Sequence, residues 1–144
     1  MEIATIGFTQ SSAEYFFERL KRAGIRRLLD IRLNNSSQLS GFAKSGDLAY
    51  FLKTICGAEY EHDVRLAPTQ ELLDGYRKRR GSWEAYERAF LGLMRERNVP
   101  AILDRNTFEQ KTVLLCSEAG PARCHRRLVA ELLADWWGAR IEHL

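Results

Sequence analysis

The sequence has no apolar run approaching the ~20 consecutive residues that a bilayer-spanning helix needs. Its first residues, Met1-Glu2-Ile3-Ala4-Thr5, carry neither the basic lead nor the apolar core of a secretory signal, so no membrane partner and a cytoplasmic location are expected. Proline is scarce, with three in 144 residues, and ten glycines are too few for a linker or a low-complexity tract, which leaves an ordinary globular composition. Cysteine is too rare for a disulfide-stapled secreted fold. The three thiols are an odd number, so at least one stays unpaired within the chain, a usage that suits a reducing compartment. An excess of charge of one sign is missing as well. The 22 Lys+Arg against 19 Asp+Glu give a formal +3, too slight to argue for a nucleic-acid partner by itself.

What is present is a regular alternation of strand and helix signals. Residues 3–8 are apolar and β-branched, and Ser12 offers an N-cap to a helix that carries Tyr15, Phe16, Leu20 and Ala23 on one side and stops at Gly24. A second strand over 25–31 leads into a turn-rich loop, residues 34–37. A helix over 47–56 follows, burying Leu48, Phe51, Leu52 and Ile55 and ending at Gly57. Residues 59–62 alternate as a third strand. Between residues 69 and 98, two helical patterns flank Gly81-Ser82, with Ser82 capping the second. Residues 98–106 read equally as helix or as connector after Pro100. A buried strand over 111–116, a helix over 121–137, a stop at Gly138 and a strand over 139–143 complete the chain. The alternation predicts a single α/β domain over 1–144, with a helical insertion near 69–98. Its mostly parallel sheet of about five strands carries helices on both faces in a Rossmann-like three-layer arrangement.

Reactive groups crowd the turn after the strand at 111–116. Cys116, Glu118, Arg123, Cys124, His125, Arg126 and Arg127 fall there, and Pro121 suits the first position of the following helix. In an open parallel sheet, ligands gather beyond the carboxyl ends of the strands, where Asp30 and Arg32 would also lie. A small anionic or phosphorylated ligand, such as a nucleotide, is the expected partner, anchored by Arg32, Arg126 and Arg123. Asp30 and Glu118 are the acid and base candidates, Cys116 is the nucleophile or redox thiol, and His125 is a proton carrier or orienting donor. The plainer alternative is that Asp30 or Glu118 braces an arginine, and that Cys116 and Cys124 are small buried hydrophobes. Tyrosine-phosphatase chemistry fits poorly, because Cys116 to Arg123 is one residue longer than the loop of those enzymes and no His precedes Cys116.

No metal and no other cofactor are expected. Cys116, Cys124 and His125, with His62 or Cys56, could nominally supply four zinc ligands. However, there is no Cys-x2-Cys pair, and neighbours on a helix such as Cys124 and His125 point about 100° apart. The basic run at 77–80 reads as a solvated helix end before it reads as a nucleic-acid patch. Of Trp136 and Trp137, one ring belongs in the core and the other covers a sheet edge or meets a second copy of the chain, which allows a homodimer.

Thr5-Ile6-Gly7, Asp30-Ile31-Arg32, Phe42 with Lys44, Leu66-Ala67-Pro68-Thr69, Trp83 with Tyr86, and Leu115-Cys116-Ser117-Glu118 followed by Pro121 and Cys124-His125-Arg126 carry a resemblance. In this order, and over nearly the whole chain, they resemble the bacterial and archaeal proteins grouped as domain of unknown function 488. The resemblance implies an α/β fold and a site built from Asp30, Arg32, Cys116, Glu118, Cys124, His125 and Arg126; Thr5 and Gly7 are further expected ligand-binding residues. It implies no established activity. The chain departs from the family pattern at Phe8, where many members have His. Two alternatives to a ligand-binding protein stand beside it: a non-enzymatic module that binds nucleic acid or protein, and a thiol redox sensor. The sensor would need the Cα atoms of Cys116 and Cys124 within about 7 Å.

Overall fold

The computed structural model describes residues 1–36, 41–118 and 120–144; Ser37 of the predicted turn and Ala119 of the motif lie outside the described residues. The strands are β1 (Glu2–Gly7), β2 (Arg27–Asp30), β3 (Glu59–His62), β4 (Thr112–Cys116) and β5 (Arg140–His143). All are parallel, in the order β3-β2-β4-β1-β5. The helices are α1 (Ala13–Arg22), α2 (Ser45–Phe51), α3 (Gln70–Arg77), α4 (Trp83–Glu96), α5 (Val99–Ile102) and α6 (His125–Trp137).

The three-layer α/β arrangement follows from the twofold period of the inner strands. On β4, Val113 and Leu115 face one side, with Ala4, Ile6 and Leu28, and meet Phe16, Phe17 and Leu20 of α1 and Leu48 of α2. Leu114 and Cys116 face the other side, with Ile3 and Leu29. They meet Phe90 and Met94 of α4 and Leu128 and Leu133 of α6. Every residue of β4 is buried, and from Val113 to Cys116 the strand is apolar and shows no alternation. Among the described residues no helix is long and apolar enough to cross a membrane.

Several boundaries differ from expectation. In α1 the Ser12 hydroxyl accepts the Tyr15 N–H at 3.1 Å, as predicted, but Tyr15 is 58% exposed. The buried stripe runs through Phe16, Phe17 and Leu20, leaving Tyr15 beneath the Arg19 guanidinium, 4.4 Å from its ring centre. After α2 the chain widens into one π turn, Leu52–Cys56, which keeps Leu52 inside and turns Ile55 outward. The ambiguous stretch after residue 98 resolves as α5 and a 3₁₀ turn, Arg105–Phe108. Trp137 packs on Phe108 with centroids 5.1 Å apart, and Trp136 is exposed. Most consequential for the site, α6 starts at His125 and not at Pro121. Residues 121–124 are a turn, and Cys124 is the N-cap with extended backbone, because the segment is tethered at both ends. The Cys116–Cys124 disulfide holds one end, and the bond from Arg126 Nη1 to the Glu118 carbonyl holds the other.

That carbonyl crosses β1 at Gly7. A Cβ on Gly7 would stand 1.6 Å from the Glu118 oxygen, an overlap between two backbones that no rotamer change relieves. Gly7→Ala is therefore expected to lose about 3 kcal/mol or more of stability in urea denaturation. Gly92→Ala, in α4 with open space around it, should gain roughly 0.5–1 kcal/mol. Equal behaviour of the two variants would contradict the crossing.

Candidate functional site

Beyond the carboxyl ends of β2 and β4 lies a cleft of about 290 Å³. Its floor comes from the strand ends and the α6 turn: Arg32, Cys116, Glu118, Arg123, Cys124 and His125. Its opposite wall comes from Tyr76, Arg77, Trp83 and Tyr86 of α3 and α4. Six of the residues singled out in the sequence thus share one opening, while Thr5, Gly7, Asp30 and Arg126 do not line it.

Asp30, the last residue of β2, is fully buried and saturated with hydrogen bonds. Its Oδ1 accepts from the Arg32 backbone N–H at 3.1 Å and from Arg32 Nε at 2.9 Å. Its Oδ2 accepts from Arg32 Nη2 and from the Tyr60 hydroxyl, both at 2.7 Å. Burial, and then the bond to Asp30, push the Tyr60 phenol well above its ordinary value. Asp30 consequently acts as the counter-charge that orients Arg32, with no lone pair left over for a ligand. Arg32 is 3% exposed and also donates through Nη2 to the Ala43 carbonyl at 2.7 Å. Its Nη1, however, is buried with no hydrogen-bond partner among the described residues. The guanidinium stands 5.1 Å from the ring centre of Phe8.

Cys116 and Cys124 are joined by a disulfide with Cα atoms 7.5 Å apart, slightly wider than the spacing the sequence argument required, and Cys56 is free. His125 Nε2–H donates to the Ile31 carbonyl at 2.8 Å, leaving Nδ1 as the ring's acceptor. Burial pushes its pKa down to about 4, so the imidazole is neutral near neutral pH. The two sulfurs and a ring nitrogen of His125 lie within 4.8 Å of one another. The expectation that Cys124 and His125 diverge is corrected: they are not successive helical residues, since Cys124 has φ −141° and only His125 is in α6.

Arg126 is fully buried. It bonds the Glu118 carbonyl and approaches Cys116 Sγ at 4.0 Å, so it fastens the loop and does not face the cleft; burial lowers its pKa to about 10, which leaves it a cation. Thr5 is also buried, bonded to His143 Nδ1 at 2.6 Å. Glu118 reaches the cleft and pairs with Arg77 at 3.0 Å across its mouth, both about half exposed.

The wall was not anticipated as part of a site. Arg77 reads in the sequence as the start of a solvated basic run, and Trp83 and Tyr86 read as core. In the structure Tyr76, Trp83 and Tyr86 form one ring cluster with centroids 5.1–5.7 Å apart that is both core and cleft wall. The signal for it was the concentration of rings on either side of Gly81-Ser82 in the helical insertion.

The family model described as domain of unknown function DUF488 matches residues 12–133. No curated protein and no solved structure matches the chain.

Asp30→Asn leaves the Arg32 charge buried without its counter-ion and is expected to lower unfolding free energy by about 3–5 kcal/mol. Glu118→Gln, at an exposed pair, should cost less than about 1 kcal/mol. Urea denaturation of both variants measures the contrast, and a small effect of Asp30→Asn would remove the case for a buried brace.

Proposed function

The chain belongs to the DUF488 family, a domain of unknown function, and we propose that its cleft binds a small phosphorylated molecule carrying a planar ring, with a mononucleotide as the ligand class. The observation that carries this reading is Arg32 Nη1, a buried donor without a partner among the described residues, on an arginine that lines the cleft and is held by Asp30. An uncompensated buried donor costs roughly 1–3 kcal/mol, which a bound anion would recover. Arg77 and Arg123 on the same lining add exposed positive charge, and the Trp83 and Tyr86 rings offer a flat apolar face. The volume is at the small end of the ~300–1,000 Å³ typical of ligand pockets, which suits one nucleotide and not a dinucleotide. Among the acid and base candidates, Glu118 is the carboxylate on the cleft lining, so proton transfer to or from a ligand falls to it.

A second reading, a thiol switch, is favoured by the Cys116–Cys124 disulfide on the cleft floor. It is compatible with the first, because a ligand in the cleft would lie against the pair.

Calorimetric titration with inorganic phosphate, ribose 5-phosphate and the four ribonucleoside monophosphates tests the ligand class. At least one monophosphate should bind more tightly than ribose 5-phosphate, and ribose 5-phosphate more tightly than phosphate. Combined Arg77→Gln and Arg123→Gln should weaken binding by about tenfold or more, the equivalent of a lost charged hydrogen bond. Absence of binding by all six compounds, or unchanged affinity in the double variant, would overturn the proposal.

A further inference from the structure

We propose that Cys116, Cys124 and His125, once the two cysteines are reduced, form a three-ligand site for a zinc-class divalent cation whose fourth position opens onto the cleft. The inference does not rest on the ligand proposed above, since it concerns the metal alone.

Two elements bring the donors together: the end of β4 supplies Cys116, and the start of α6 supplies Cys124 as its N-cap and His125 as its first residue. Their donor atoms already lie within 4.8 Å of one another and are buried. A tetrahedral ion with metal–sulfur bonds of ~2.3 Å and metal–nitrogen bonds of ~2.0 Å sets its ligands about 3.5–3.8 Å apart, so only small side-chain rotations separate the observed cluster from a coordinating one. The backbone agrees. The cysteine Cα atoms stand 7.5 Å apart, beyond the ~4.4–6.8 Å usual for a disulfide, and this span accommodates two sulfurs on either side of an ion more readily than two sulfurs bonded to each other.

The surroundings are those of metal ligands. His125 donates Nε2–H to the Ile31 carbonyl, the outer contact that fixes the tautomer of a ligating histidine and leaves Nδ1 as the nitrogen with a lone pair for a metal. Arg126 Nη1, 4.0 Å from Cys116 Sγ, stabilises that sulfur as a thiolate. Two thiolates and one imidazole select a borderline-soft ion such as Zn(II) over Mg(II) or Ca(II). All three ligands line the cleft, so the remaining coordination position faces the space where water or a ligand would enter.

The disulfide and metal forms exclude each other. Conversion requires two electrons, supplied by two equivalents of a thiol reductant that leave as their own disulfide while Cys116 and Cys124 each gain a proton. Binding of the cation then releases both protons to solvent. The site is thus available in the reduced protein and closed in the oxidised one.

The test uses the whole protein, reduced with a phosphine, desalted under argon and titrated with Co(II). The expected result is one equivalent bound, with thiolate-to-cobalt charge-transfer absorption and the visible bands of a four-coordinate ion, displaced by Zn(II). Zn(II) should also protect Cys116 and Cys124, but not Cys56, from iodoacetamide, as read by peptide mass spectrometry. Cys124→Ser and His125→Ala should weaken Zn(II) binding more than about 100-fold, beyond the range of outer-contact changes, while Cys56→Ser leaves it unchanged. The disulfide form should bind no equivalent. The proposal is overturned if the reduced wild-type chain binds no stoichiometric Co(II), if Zn(II) leaves the alkylation of Cys116 and Cys124 unchanged, or if the oxidised protein binds as well. The alkylation measurement is made on the unsubstituted chain, so it decides the question even where a variant does not fold.

Discussion

The rim of this protein is organised by one ion pair that water does not reach. Removing a carboxylate and a guanidinium from solvent carries a desolvation penalty of several kcal/mol for each ion, and the pair is tolerable only when nearly every lone pair and N–H finds a partner. Asp30 meets that condition fully, through Arg32 and Tyr60. Arg32 meets it with Nε and Nη2 but, among the described residues, not with Nη1. The pair also ties distant pieces together. Tyr60 belongs to β3, Ala43 to the turn before α2, and the Arg32 carbonyl accepts from His62 at 2.7 Å. Loss of the carboxylate would therefore release the end of β2, the neighbouring edge strand and the turn at 41–43 together.

Most of the fold was legible in the sequence because its signals are local. Ser12 and Ser82 cap where hydroxyls before apolar runs should, accepting from Tyr15 and Ala85, and Gly24, Gly57 and Gly138 adopt positive φ at the ends of helices. The even burial of β4 against the alternating exposure of β3 separates an inner strand from an edge strand, as composition implies. The misplacements have tertiary causes. Pro121 has every local qualification to begin a helix. Yet the disulfide and the Arg126 bond hold the following residues in a turn, and neither tether has a local signature. The π turn at Leu52–Cys56 likewise answers to packing and not to propensity.

The site was legible in part, for the same reason. That residues at 30–32 and 116–125 meet follows from parallel strands ending on one side, which pattern alone conveys. Which of them face outward does not. Asp30 and Arg32 are two residues apart with similar prospects on paper, but one is sealed by four hydrogen bonds and the other lines the cleft. Arg123 and Arg126 are three apart on either side of a helix start that was misplaced by four residues, and that shift decides which of them reaches the opening. The aromatic wall was hidden because a ring at helical spacing carries the same signature whether it lines a cavity or fills a core.

The strand order has a kinetic corollary. The strand at the centre of the sheet, β4, is the fourth to leave the ribosome, and both of its neighbours come from the first quarter of the chain. Neither β1 nor β2 can complete its pairing until a segment on the order of 100 residues downstream has been synthesised, a high contact order that slows folding. Until then their apolar edges stand open, the condition under which unpaired strands are prone to associate. The cysteine pair forms only after that point, since Cys116 closes the same strand.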